Sequence, residues 1–122
     1  MKDIILDTNF LISAVKFKIG IKEELTRICP FMFRICIIDK TLLELKKLTE
    51  SEKTRLEALL ALKFTSLYHL IRTQSEKPVD DILVELSGYK SIIIATNDKE
   101  LKEKLLSPVI MIRNKKYFEL KN

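Results

Sequence analysis

The sequence predicts an α/β fold: a three-layer α/β/α sandwich around a central parallel sheet of four or five strands. Three observations predict it. The strand-like runs DIILD, RICII and SIIIAT are apolar almost throughout rather than alternating, the pattern of strands buried on both faces. They alternate with helical stretches of roughly ten residues, as parallel α/β proteins require. The 122 residues are 47% hydrophobic, with 2 Gly and 3 Pro, which suits one compact domain over residues 1–122 with short connections.

The elements follow in order. DIILD at 3–7 is a buried strand, followed by a helix from Asn9 to Phe17 and a second from Ile21 to Cys29. RICII at 34–38 is the second strand. Asp39 is placed to cap the next helix, which carries Leu42, Leu43, Leu45 and Leu48. Thr49 and Glu52 fit a capping box for a helix reaching Lys63. Its LEALLAL stretch is apolar on more than one face, so it is expected to pack on both the sheet and a helix. FTSLYHL is expected as a short edge strand. Pro78 suits the first turn of a helix that Gly88 ends. SIIIAT is the clearest buried strand, Asn97 and Glu100 fit a capping box over DKELKEKLL, and PVIMI is the last strand. There is no internal repeat and no low-complexity segment.

Composition narrows the function. No run reaches the ~18 apolar residues of a membrane helix. MKDIILDTN carries an acid inside its apolar run and lacks a small-residue cleavage site, so it is expected to be a strand rather than a signal peptide, in a cytoplasmic protein without a membrane partner. The formal charge is +5, from 22 Lys and Arg against 17 Asp and Glu; this helps a polyanion approach without identifying one. Cys29 and Cys36 form no CxxC pair and are expected as buried free thiols. The single histidine, His69, sits beside Tyr68 and Leu70 and is expected to be structural, which disfavours His/Cys zinc chemistry.

The acids are the informative residues. In an open parallel sheet, ligands bind beyond the carboxyl ends of the strands, where strand order reverses. Asp7 ends the first strand and Asp98 lies just beyond IIIAT; if those strands flank the reversal, the two side chains share one crevice. Glu44 lies in the first turns after the second strand. In VDDIL, helical spacing puts Asp80 on the face of Leu83 and Val84, and Asp81 with Val84 and Glu85. Asp80 is the better inward acid and Asp81 a solvated partner orienting a lysine, although a modest rotation exchanges them. Each acid has an ordinary alternative. Asp7 can cap a helix, Asp80 and Asp98 suit first helical turns, and Glu44 suits a charged surface. Together they repel one another unless cations compensate, and oxygen-only ligands point to Mg²⁺ or Mn²⁺.

Such ions activate water and hold a scissile phosphate. Asp7 and Asp98 are expected as direct ligands, with Glu44 and Asp80 completing the site. Thr96 is placed to donate a hydrogen bond to Asp7, Asn9 to fix the Asp7 carboxylate or touch a phosphate, and Ser13 lies one helical turn beyond Asn9. Lys99, Lys102 and Lys104, with Arg113, Lys115 and Lys116, are candidates to meet the backbone phosphates of a polyanion, and Tyr117 to stack on a base if that polyanion is a nucleic acid. The ordinary alternative is a solvated charged face, with Tyr117 and Phe118 docking the tail.

At these residues the chain resembles a PIN-domain ribonuclease. LDTNFLI at 6–12, LLELKKL at 42–48, PVDDIL at 78–83 and IATNDKELKEKL at 94–105 carry the resemblance, in order, over nearly the whole sequence. TNDKELKEKL followed by PVIMIRNKKYFEL is similar to the archaeal and eukaryotic ribosomal-RNA-processing branch, and VapC-type toxins share the fold and acids. The resemblance implies catalytic acids at Asp7, Glu44, Asp80 and Asp98, a supporting hydroxyl at Thr96 and an amide at Asn9. It also implies Mg²⁺ or Mn²⁺, an RNA substrate cut as an endoribonuclease, a homodimer, and an antitoxin or ribosome-assembly partner. PVDDIL lacks the glycine and small residue usual before the acids in that branch, and Asp39 stands where it often has proline. Two alternatives are an inactive PIN-like RNA-binding scaffold and a haloacid-dehalogenase-like phosphatase. The phosphatase wants an acid where this chain has Asn9. A dinucleotide fold wants a GxGxxG after the first strand, which is absent.

Overall fold

The computed structural model describes residues 1–106 and 108–122. The chain runs β1 (Lys2–Leu6), α1 (Thr8–Lys16), α2 (Ile21–Ile28), β2 (Phe33–Ile38), α3 (Asp39–Leu48), α4 (Arg55–Thr65), β3 (His69–Ile71), α5 (Val79–Leu86), β4 (Ile92–Ala95), α6 (Lys99–Lys104), β5 (Val109–Arg113) and β6 (Tyr117–Lys121). The strands form one sheet in the order β3-β2-β1-β4-β5-β6. The first five are mutually parallel, and β6 returns antiparallel to β5.

Strand periodicity divides the core. Ile4, Leu6, Ile37, Ile93, Ala95, Ile110 and Ile112 face α1 to α4, where Phe10, Leu11, Leu25, Leu45 and Ala61 meet them. Ile5, Cys36, Ile38, Ile92 and Ile94 face the other way, onto Ile82 and Leu83 of α5 and Leu101 of α6. Alternate side chains on one strand serve opposite layers, so continuous Ile runs were needed on β1, β2 and β4. At the open end of the β1–β2 pair, where Asp3 is in register with Arg34, the guanidinium donates two hydrogen bonds to the Asp3 carboxylate, at 3.0 and 3.1 Å.

Several expected details differ. The sheet gains a sixth strand from the segment expected as a basic tail. Asn114 and Lys115 both take a φ of 54°, the left-handed pair that a mirror-image hairpin turn requires. Phe118 then buries fully, its ring centroid 4.9 Å from that of Phe10. The outer edge of β6 is not left bare. Glu24 Oε1 accepts from the Phe118 N–H at 2.9 Å and Arg27 donates to the Phe118 carbonyl at 2.8 Å, so α2 covers an edge that would otherwise invite pairing.

FTSLYHL contributes only its end to β3, because Phe64 and Thr65 finish α4. No Thr49–Glu52 capping box forms. Thr49 closes α3 and its hydroxyl donates back to the Lys46 carbonyl at 2.5 Å, a local bond that competes with capping forward. α4 does not bury its leucines on two sides. Ala58 and Ala61 are the buried residues that allow close approach to its neighbours α1 and α3, while Leu56, Leu59 and Leu60 are exposed. Asn97 caps nothing: its amide donates to the Ile112 carbonyl at 2.9 Å and accepts from the Ile112 N–H at 2.7 Å. It extends the β4–β5 pairing, whose backbone register stops at Ala95 and Ile110. Asp98 caps α6 instead, accepting from the Leu101 N–H at 3.2 Å.

Asp39 stands inside α3 rather than at its cap. Its carboxylate accepts from the Thr73 N–H, the Thr73 hydroxyl and the Gln74 N–H, at 3.1, 2.7 and 3.1 Å. It thereby ties down the connection from β3 to α5 where Gln74 turns through a φ of 50°. These hydrogen bonds, the Thr73 hydroxyl foremost, hold its pKa below the usual value. Cys36 is buried and Cys29 half-buried, both as free thiols. Among the described residues no helix is long and apolar enough to cross a membrane.

Candidate active site

β1 pairs with β2 on one side and β4 on the other, so strand order reverses between β1 and β4. The crevice at their carboxyl ends is the place where an open parallel sheet binds ligands. Asp7 sits at its centre. Its N–H bonds to the Ala95 carbonyl of β4 at 3.0 Å, and its carbonyl receives the Leu11 N–H of α1 at 3.0 Å. The backbone is therefore fixed by sheet and helix together. The Asp7 side chain makes no capping bond to α1. It accepts from Thr96 Oγ1 at 2.9 Å instead.

Thr96 is wholly buried and is held by its own N–H on the Ile110 carbonyl, at 2.9 Å. Its hydroxyl also accepts from the Asp98 N–H at 3.1 Å. One hydroxyl thus relates the Asp7 carboxylate to the turn that presents Asp98. The Asp98 carboxylate is exposed and spends one oxygen on its helix cap.

Asp7 is 7% exposed, and its pKa is pushed from 3.8 up to about 6. Burial is the main cause; the negative charges of Asp80 and Glu44 push the same way, against the Thr96 hydroxyl and a backbone bond from Thr8. Asp80 and Glu44 therefore lie within electrostatic reach of Asp7. Asp81 acts elsewhere: its charge bears on Lys77, which forms an ion pair with Glu85. Asp80 and Asp81 are both exposed on the first turn of α5.

Glu44 is exposed on α3, yet its Oε1 accepts from Thr8 Oγ1 at 2.7 Å. Thr8 is 4% exposed and stands 3.5 Å, hydroxyl to hydroxyl, from the buried Thr41. These two threonines orient Glu44 and were not singled out from sequence. No sequence signal marked them, since a threonine in the first turn of a helix is ordinary. Asn9 is exposed and Ser13 half-buried, and neither side chain hydrogen bonds within the protein among the described residues. The role expected of Asn9, fixing the Asp7 carboxylate, is performed by Thr96.

No Lys or Arg forms an ion pair with Asp7, Glu44, Asp80 or Asp98 among the described residues. Among those residues no group of three or more His, Cys, Asp or Glu side chains stands close enough together to hold a metal ion. The donor set is nevertheless all oxygen, with one buried carboxylate whose ionisation burial and neighbouring acids resist. That chemistry fits a hard divalent cation and does not fit zinc.

The expected RNA-contacting cations separate. Lys99, Lys102 and Arg113 line a groove of about 410 Å³ beside α6. Lys115 lies over the Phe17 ring, 5.7 Å from its centroid, against the α1 layer. Lys116 is exposed on the hairpin turn, its N–H bonded to the Arg113 carbonyl at 3.0 Å. Tyr117 is in β6, with the Arg27 guanidinium 5.9 Å from its ring centroid.

Comparison with known proteins gives the same family from three directions. A family model described as a PIN like domain matches residues 4–115. Ribonuclease VapC4 of Methanocaldococcus jannaschii is 39% identical over 127 aligned residues, covering 98% of this chain and 97% of that protein. The solved structure of the PIN domain endonuclease Utp24 matches with a TM-score of 0.77 and 26% identity, over 97% of this chain and 90% of that one. With a carboxylate at the sheet's reversal point, acids on the flanking helices and matches along its length, the chain belongs to the PIN-like family of nucleases.

Proposed function

We propose that the protein is a divalent metal-dependent endoribonuclease that hydrolyses RNA phosphodiesters. The observation that carries this reading is Asp7: a buried acid, at the reversal point, repelled by Asp80 and Glu44 and paired with no cation among the described residues. Keeping such a group ionised near neutral pH is costly, and a hard cation removes the cost. Asp7 and Asp98 would hold Mg²⁺ or Mn²⁺, with Glu44 and Asp80 completing the set. Bound there, the ion supplies Lewis-acid activation of water and neutralises charge on the phosphate.

The chain's own residues do the positioning. Thr96 fixes one oxygen of Asp7 and the backbone of Asp98. Thr8 holds Glu44 toward the crevice. Asp39 anchors the connection that delivers Asp80. Retention of all four acids favours turnover over an inert RNA-binding scaffold. The VapC-type role, as a cytoplasmic toxin-type nuclease with a small inhibitory partner, has the stronger support, because that relative is more similar and matches end to end. Co-purification of a small inhibitory protein encoded beside this chain supports that role, whereas association with ribosome-assembly proteins favours ribosomal-RNA processing.

The test of the activity is cleavage of a defined RNA with Mn²⁺ or Mg²⁺ and with chelator. Asp7→Asn should fold and lose at least about 100-fold in rate. Unchanged cleavage by that variant, or full cleavage in chelator, rejects the reading.

A further inference from the structure

We propose that the groove between α6 and the β5–β6 hairpin carries the phosphate backbone of a single-stranded RNA segment away from the acidic edge. The inference rests on the ribonuclease reading above and adds where the strand runs. Lys99, Lys102, Arg113 and Lys121 line the groove, against one lining acid, Glu103. Lys121 joins the other three because β6 folds back on β5, pairing Lys121 with Val109.

The cations are strung out along the groove. Lys99 opens α6 directly after Asp98, at the catalytic edge. Arg113 lies at the same end of β5, and Lys121 pairs at the opposite end. Val109 to Arg113 is four residue steps, about 13 Å of strand. A strand leaving the acids therefore meets positive charge near the cut and again further down. Val109, Met111 and Arg113 alternate along β5 and point to this one side, while Ile110 and Ile112 enter the core on the other.

The floor between the cations is apolar, made by Leu105, Val109 and Met111. Lys102 Nζ sits 3.6 Å from the Met111 sulfur, which holds its ammonium over that floor. Arg113 is partly neutralised by Glu119, at 3.4 Å, so the three lysines are the stronger phosphate contacts. An apolar floor rewards exposed bases and sugars, which a single strand offers and a duplex hides. The acidic edge repels phosphate, and an adjacent basic groove offsets that repulsion.

The test uses full-length chain carrying Asp7→Asn, so that RNA stays intact, and fluorescence anisotropy with a labelled single strand and a duplex of equal length at several salt concentrations. Lys102→Gln with Lys121→Gln should weaken single-strand binding about 25-fold at 0.1 M salt, and lower the salt slope by about 1.4. Lys22→Gln, in the separate groove of α2 and β2, should leave both unchanged. The proposal is overturned if the double variant binds within about twofold of its parent, if Lys22→Gln costs as much, if duplex binds equally well, or if neither RNA binds. Wild-type cleavage is measured in parallel. Cleavage by the wild type with binding unaltered in the double variant removes the groove and leaves the nuclease. Groove-dependent binding with no wild-type cleavage does the reverse.

Discussion

Asp7 concentrates the chemistry at the scale of a single residue. Its folded pKa, about 6, lies above the 3.8 of a free aspartate. The folded protein therefore binds that proton more tightly than the unfolded chain. Stability tied to Asp7 is fully present below about pH 4, declines as pH rises through about 6, and stays reduced above it. The ionised form costs up to about 3 kcal/mol. In chelator, Asp7→Asn should be more stable than wild type at pH 7 by up to that amount, with the difference vanishing near pH 4. Denaturant melts at the two pH values check this, and equal stability at pH 7 would show that Asp7 bears no such penalty. On the proposed reading Thr96 acts as a positioning residue, through its hydrogen bond to Asp7. Thr96→Val keeps the shape and removes the hydroxyl, so cleavage should fall by about 10- to 100-fold and Mn²⁺ affinity should fall with it. A lower rate with unchanged Mn²⁺ affinity would mean that Thr96 does not act through the Asp7 carboxylate.

Among the elements, β6 and the β3–α5 connection are each fastened by side-chain contacts distant in sequence. Phe118 against Phe10 fixes β6 to the core. Phe118→Ala should cost about 3–5 kcal/mol, and amide exchange should quicken first in β6. Loss confined to α2, with β6 protected, would contradict that order. Asp39→Ala removes three hydrogen bonds from Thr73 and Gln74 and should cost about 1–3 kcal/mol, with exchange at those two amides rising by the same free energy. The buried strands β1, β2 and β4 were legible because nothing else makes short Ile runs between helices. β6 was not. RNKKY lacks the Asn-Gly or Asp-Gly signal of a two-residue hairpin turn, and its charges read as a tail. The capping boxes at Thr49 and Asn97 failed for a related reason. A hydroxyl or amide serves whichever backbone group folding brings near, and for Asn97 that group is fifteen residues away on β5.

Across the whole molecule, strand order brings separate motifs to one edge of the sheet. The crevice between β1 and β4 could be anticipated from Asp7 and Asp98 alone, once those strands were taken as neighbours. The field of Asp80 reaches Asp7 and that of Asp81 reaches Lys77, a division that helical spacing already suggested. Thr8 and Thr41 were invisible because their role appears only when α3 packs beside α1. The basic set divided in two because Lys99, Lys102 and Arg113 flank one groove beside α6, whereas Lys115 and Lys116 lie on the turn between β5 and β6, with Lys115 over Phe17. The acids on the edge of this sheet are held to be one cation site, and calorimetric titration with Mn²⁺ of wild type, Asp7→Asn and Asp98→Asn tests that most directly. Wild type should bind Mn²⁺, with affinity reduced at least about tenfold in each folded variant. Identical isotherms for all three proteins would contradict the account.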